Sequence, residues 1–314
     1  MPQPTPPSPL PCGIWAPTQA FFDANADLDL ATIGLHAVRL ARAGIVGIVT
    51  NGSNGEAAHL SPAERSQVTA ATRAALDAAG FTHIPVMAGA SDQSVRGTLA
   101  LIDDARQAGA AAVLLLTPSF FKWAMDARVV EGYFQGVAEQ SSLPVVVYNY
   151  PGAVAGLDLD SDMLVRLAGH ENIVGTKFTC GNIGKLARVA AVTATDHGDY
   201  RCFSGVADAI TPALAVGGHG GIVGAANVFP RACVNVYRLY AQGRLEEAKA
   251  AQQQLAAADW ALTKRAIPGF KSILQKFHGY GGIPRLPVLP LSGEEEEKLF
   301  GEIQEMMRVE EGLE

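Results

Sequence analysis

The sequence predicts an α/β protein built as a (β/α)8 TIM barrel with a C-terminal helical extension, and three observations carry that expectation. From residue 13 onward, short apolar runs alternate with longer amphipathic stretches at a spacing of roughly 25 to 30 residues, the pattern of repeated βα units. Eight such units can be counted. No GxGxxG follows the first run, which favours a closed barrel over the open doubly wound sheet that shares the alternation. The 314 residues, 48% hydrophobic and 18% charged, suffice to bury the core of one such barrel.

The strand candidates are residues 13–17, 45–50, 84–88, 112–117, 144–149, 173–177, 201–204 and 221–225. Between them lie amphipathic stretches such as 29–43, 61–79 and 95–108. Ser61-Pro62-Ala63-Glu64 combines an N-cap, a proline at the first helical position and a capping-box glutamate. Gly44, Gly80 and Gly109 fall where helix C-caps belong. After the eighth unit the pattern stays helical through 244–264, 268–277 and 293–307. The expected organisation is an extended or disordered segment over 1–12, the barrel over 13–243, and 244–314 as a helical extension of the same domain. The run Glu294 to Glu297 reads as a solvated first turn whose acids complement the helix dipole.

Composition excludes several functions. A net charge of −7 and the absence of a Lys/Arg run leave no cationic surface for nucleic acid. The longest apolar runs, such as 110–116, fall short of the roughly 20 residues that cross a bilayer. The four cysteines, Cys12, Cys180, Cys202 and Cys233, lack the paired spacing of a zinc or redox site and read as reduced thiols in the core or near the site. His170-Glu171-Asn172 lacks HExxH spacing, and His219 reads as part of a glycine-rich turn, so no metal is expected. The opening MPQPTPPSPLPC contains no Arg or Lys and no apolar run, which points to the cytoplasm.

In a barrel the active site lies at the C-terminal ends of the strands, so polar residues that end apolar runs are the candidates. Lys177 ends the sixth run. A desolvated lysine there either pairs with a carboxylate or carries a lowered pKa and acts as an amine nucleophile. Tyr148 ends the fifth run, next to it in a parallel sheet. Its phenol can shuttle a proton or simply pack. The turn Asn51-Gly52-Ser53-Asn54-Gly55-Glu56 follows the second run; Ser53 and Asn54 with nearby amides can hold a carboxylate, or the turn can merely cap a helix.

Together, Gly52-Ser53-Asn54-Gly55-Glu56, Tyr148-Asn149-Tyr150-Pro151, Gly175-Thr176-Lys177 and Gly217-Gly218-His219-Gly220-Gly221-Ile222 resemble, in order and spacing, the dihydrodipicolinate synthase / N-acetylneuraminate lyase family of pyruvate-dependent class I aldolases. The resemblance implies that Lys177 forms a Schiff base with a 2-oxo acid, that Tyr148 shuttles protons with Ser53, and that Ser53 and Asn54 bind the carboxylate. It further implies that Gly205 and Ile222 line the pocket and that Thr179 bonds a substrate hydroxyl. No cofactor beyond the covalent imine is implied, and the resemblance implies a homotetramer built from dimers.

Three departures refine that expectation. The synthase branch carries an arginine after the Tyr-Asn-x-Pro motif, where this chain reads Pro151-Gly152-Ala153-Val154, which argues against a second substrate bearing a carboxylate there. Phe120 occupies the place of a relay tyrosine supplied across a dimer interface, so the proton is expected to travel through Ser53, water or a substrate hydroxyl. After the seventh run, Val206 and Ala207 precede Asp208, unlike the acidic grip of the sialic acid branch. The segments 148–152 and 175–182 are most similar to fungal aldolases that split L-threo-3-deoxy-hexulosonate into pyruvate and L-glyceraldehyde in D-galacturonate breakdown. The alternatives are a 4-hydroxy-2-oxoglutarate aldolase, a dihydrodipicolinate synthase, or an imine-forming dehydratase or decarboxylase.

Overall fold

The structure is a computed structural model and describes residues 9–313. Eight parallel strands close on themselves in sequence order, β1 (Gly13–Pro17), β2 (Gly47–Thr50), β3 (Val86–Gly89), β4 (Ala112–Leu116), β5 (Val145–Asn149), β6 (Ile173–Phe178), β7 (Arg201–Ser204) and β8 (Gly220–Ile222). Each is followed by a helix: α1 (Leu30–Arg42), α2 (Pro62–Ala78), α3 (Val95–Gln107), α4 (Ala127–Ala138), α5 (Ser161–Ala168), α6 (Ile183–Asp196), α7 (Ile210–Ala215) and α8 (Pro230–Ala241). Three more helices complete the chain, α9 (Leu245–Thr263), α10 (Ala266–His278) and α11 (Gly293–Gly312). None is long and apolar enough to cross a membrane.

Alternation along the strands divides the core into layers. Trp15, Met87, Leu114, Val146, Tyr148 and Phe203 fill the barrel interior, while the opposite faces of the strands pack against the helices. The caps anticipated from the sequence are present. Ser61 and Glu64 form a reciprocal capping box on α2, and Gly44, Gly80 and Gly109 adopt φ of 92°, 82° and 90°, left-handed conformations that a side chain would strain.

Several expected boundaries shift for local reasons. Residues 45–46 precede β2 because the Ile45 amide bonds back to Leu40 and finishes the α1 turn. Ile84 is likewise held in a turn by Phe81, so β3 starts at Val86. The eighth strand ends at Ile222, and Gly224–Asn227 coil into a 3-10 turn pinned by Asn227, whose amide donates to Pro17 O and Gly224 O at 2.9 and 2.8 Å. Helix α11 runs past residue 307 to Gly312, because the buried Glu310 carboxylate accepts the Arg231 and Ala232 amides at the start of α8. Cys202 and Cys233 are buried and Cys180 half-buried, but Cys12 is exposed, contrary to the expectation for all four thiols. Of the opening segment, residues 1–8 lie outside the described residues. Leu10 is buried under the barrel, and Pro11 O accepts the Trp15 indole N–H at 3.0 Å.

That indole fixes one glycine. A methyl group on Gly47 would sit 2.2 Å from the Trp15 ring, so Gly47→Ala must displace a fully buried side chain. The expected cost is about 1–3 kcal/mol, read as a lower urea midpoint with unchanged slope.

Candidate active site

The strand register brings Lys177 and Tyr148 together. At its start β5 pairs Val145 with Ile173, but a register shift follows, and Val146 pairs with Gly175. Without that bulge Tyr148 would face Thr176 and Lys177 would point to the other side of the sheet. With it, Tyr148 and Lys177 are Cα partners, and Lys177 pairs in turn with Phe203 of β7, which places all three in the barrel interior. Gly175 permits the irregularity, since a Cβ there would come within 2.6 Å of the Arg201 carbonyl.

Lys177 is 4% exposed, and its amine lies 4.2 Å from the centroid of the Tyr148 ring. Among the described residues, Lys177 forms no ion pair within 4.0 Å. Burial, with no carboxylate to oppose it, lowers its pKa to about 7. Of the two roles open to this lysine, the ion pair is therefore excluded among the described residues, and a substantially neutral amine remains. The Tyr148 hydroxyl is 3.5 Å from Ser53 Oγ. Burial raises its pKa, with the Ser53 hydroxyl opposing the shift, so the phenol stays protonated and available as a donor.

Ser53 and Asn54 sit in a turn bracketed by two left-handed residues, Asn51 at φ 54° and Glu56 at φ 51°. The Asn51 side chain is tied to Arg65 O and Thr69 Oγ1 at 2.9 and 3.0 Å. Gly89 at the end of β3 makes room for the turn, since a Cβ there would lie 2.0 Å from Asn51 O. Amides of Gly55, Glu56 and Ala57 close the turn on Gly52 and Ser53 carbonyls. The amides of Ser53 and Asn54 make no backbone hydrogen bond among the described residues, which leaves two donors for an anion.

The other sequence-derived candidates occupy neighbouring strand ends. Thr179 follows β6, its amide donating to Asn149 O at 3.0 Å. Its hydroxyl is buried without a hydrogen-bond partner and fills the space above Gly205, where a Cβ would fall 1.8 Å from Thr179 Oγ1. Ile222 pairs with Trp15 and lies wholly in the interior. The open cleft, about 530 Å3, reaches Ser53 and Tyr148. Lys177, Asn54, Thr179, Gly205 and Ile222 do not line it directly and lie on the adjacent strand ends.

The cleft also exposes residues that sequence reasoning missed. Ser91, Asp92 and Gln93 after β3, Thr117 and Ser119 after β4, and Arg65 of α2 also line it. The Thr117 hydroxyl is buried and unpartnered, whereas Arg65 donates to the carbonyls of Ala57 at 2.7 Å and Ser91 at 3.4 Å. Polar residues just past an apolar run were the available signal for Thr117; the rest sit in loops whose direction no local pattern fixes. Ala153 and Val154, which stand in place of an arginine after the Tyr-Asn-x-Pro motif, line the cleft. Phe120 does not line it. It is 72% exposed, edge-on against Phe121 at 5.0 Å. His219 sits at the opposite end of β8, accepting the Cys202 amide, and among the described residues no group of three or more metal-ligating side chains converges.

Among known proteins, the dihydrodipicolinate synthetase family model matches residues 11–306. A Hypocrea jecorina protein named L-threo-3-deoxy-hexylosonate aldolase is 50% identical, over 98% of this chain and 99% of its own. An Emericella nidulans protein named "Probable 4-hydroxy-2-oxoglutarate aldolase, mitochondrial" is 45% identical, over 98% of each. The crystal structure of a dihydrodipicolinate synthase family protein from Coccidioides immitis, 33% identical, superposes with a TM-score of 0.87 over 99% of this chain and 100% of that one. With the barrel, the strand-end lysine and tyrosine and this match over nearly the whole length in hand, the chain belongs to the dihydrodipicolinate synthetase family of enzymes.

Proposed function

We propose that this protein is a class I aldolase that cleaves a 2-keto-3-deoxy sugar acid, with L-threo-3-deoxy-hexulosonate giving pyruvate and L-glyceraldehyde as the best-supported substrate. The observation that carries the reading is the buried Lys177 amine, unpaired and with a pKa near 7, opposite Tyr148. The neutral amine attacks C2 of the 2-oxo acid, and loss of water from the carbinolamine leaves an iminium. The carboxylate rests on the turn at Ser53 and Asn54. Tyr148 gives its phenol proton to the departing hydroxide as the iminium forms, and the resulting phenolate then takes the proton of the C4 hydroxyl, directly or through Ser53. The electron pair of the C3–C4 bond moves into the iminium as an enamine, and the aldehyde departs. Protonation at C3 and hydrolysis release pyruvate and restore the amine. The imine is the electron sink, so the mechanism calls for no metal or organic cofactor.

Chemistry of the cleft lining supports a hydroxylated aldehyde fragment. Ser91, Thr117 and Ser119 offer hydroxyls, Asp92 an acceptor, and the Arg65 guanidinium, which donates to the carbonyls of Ala57 and Ser91, sits near Asp92. A second carboxylate, as in 4-hydroxy-2-oxoglutarate, would meet Asp92 without a free cation at Ala153 or Val154. That acid remains the second reading, favoured by the Emericella relative. A role in galacturonate breakdown, a cytoplasmic location and a homotetrameric assembly belong to the same proposal; light scattering and fractionation of the tagged protein test the last two.

A retro-aldol panel of 2-keto-3-deoxy sugar acids differing at C4 and C5, alongside 4-hydroxy-2-oxoglutarate, tests the substrate. Release of L-glyceraldehyde from the L-threo acid is expected to dominate, and glyoxylate release in excess would transfer the assignment to the second reading. Borohydride with pyruvate should trap an adduct on Lys177, absent in Lys177→Ala. The nucleophile is the unprotonated amine, so the trapping rate should rise with pH and level off above about 7, not near the usual lysine value. Tyr148→Phe should lower kcat by about 10²–10⁴-fold while pyruvate can still be trapped.

A further inference from the structure

Glu56 closes the turn that carries Ser53 and Asn54, and its side chain is fully buried beside Lys271 of α10, with Oε1 and Nζ 2.7 Å apart and 0% and 1% of the two side chains exposed. Lys271 also donates to Ile283 O at 3.0 Å and lies 4.4 Å from the centroid of the Phe22 ring. The second Glu56 oxygen accepts the Arg285 amide at 2.9 Å and lies 3.1 Å from His59 Nδ1. Arg285 continues the strap through Glu64 and the carbonyls of His59 and Ala26. Phe270, the neighbour of Lys271, meets Gly224 on the same side as the Asn54 amide group.

A carboxylate within the turn that is to receive another carboxylate is an electrostatic liability, since two like charges in a poorly hydrated site oppose each other. The buried ammonium cancels it and ties the turn to a helix more than 200 residues further along the chain. We propose that Lys271 is a positioning residue for the 2-oxo acid carboxylate: by neutralising and anchoring Glu56 it holds the Ser53–Asn54 turn open to an anion, so the C-terminal helices are part of the binding apparatus. This inference rests on the imine reading of Lys177. Lys271 itself does not line the cleft.

Removal of one partner of a buried pair leaves the other charge unpaired, whereas removal of both can be tolerated. The test measures the concentration at half-maximal borohydride trapping of Lys177 for pyruvate and for methyl pyruvate, which keeps the ketone and lacks the negative charge. Lys271→Met should raise the value for pyruvate about tenfold or more, equivalent to about 1.4 kcal/mol of lost anion binding, and leave methyl pyruvate nearly unchanged. The double variant Glu56→Gln with Lys271→Met should bring pyruvate back to within a few-fold of the wild type. Circular dichroism checks that each variant is folded, and Lys271→Gln replaces Lys271→Met if the latter is not. Equal losses for both ketones would mean that the pair acts only on stability and would overturn the proposal, as would an unchanged pyruvate value or a folded double variant without recovery. If the wild type traps neither ketone, the imine reading itself fails and this inference falls with it.

Discussion

Desolvation of one amine is the constraint on which the arrangement of this molecule depends. Lys177 reaches a pKa near 7 because the barrel interior closes around it and supplies no carboxylate. Relative to an ordinary lysine, that corresponds to roughly 5 kcal/mol in favour of the neutral form. A single aspartate within reach would reverse the effect by stabilising the ammonium. The Tyr148 ring lies against the amine, and the interior neighbours Phe203, Val146 and Ile222 bring no charge. The register shift between β5 and β6 is therefore decisive: it aims Lys177 inward at the height of Tyr148, and a regular ladder would have aimed it at the helix layer.

The same geometry explains why several glycines cannot be exchanged. Gly175 allows the bulge to pass the Arg201 carbonyl, Gly89 lets the Asn51–Glu56 turn fold over β3, and Gly205 leaves room for the Thr179 hydroxyl. Each is a close approach of backbone or side chain to the strand ends, the region where a barrel assembles its site. The opposite end of the barrel is closed by bulk instead, with Trp15 over Gly47 and Leu10 beneath it.

Lys177, Tyr148, Ser53 and Asn54 could be picked from the sequence because each is a polar residue interrupting or following an apolar run, a signal confined to a few neighbouring positions. The eight strands were legible for the same reason, and their small boundary errors arose at turns such as Phe81–Ile84 whose hydrogen bonds leave no periodicity. The bulge in β6 was not legible, since Val174 looks like any other strand residue. Nor was Lys271. It stands between Phe270 and Ile273 on a buried helix face, and a lysine in an apolar stripe hints at a buried partner without naming it; the partner is Glu56, 215 positions away. Phe120, read as standing where a partner subunit would be supplied with a relay group, is exposed and lies outside this chain's own cleft.

Charge balance around the proposed imine follows from these contacts. Formation of the iminium creates a positive charge next to the substrate's own carboxylate, and the two stabilise each other without help from the protein. An arginine on that carboxylate would weaken the pairing and raise the energy of the iminium. Amides and hydroxyls avoid this, because they hold the anion without adding a net charge. The turn at Ser53 and Asn54 is of that neutral kind only while Glu56 is compensated, and the compensation comes from a helix beyond the eighth βα unit. With a net charge of −7, the protein as a whole does not attract an anionic acid. Affinity must then be generated locally, by unpaired donors in a site from which uncompensated negative charge has been removed.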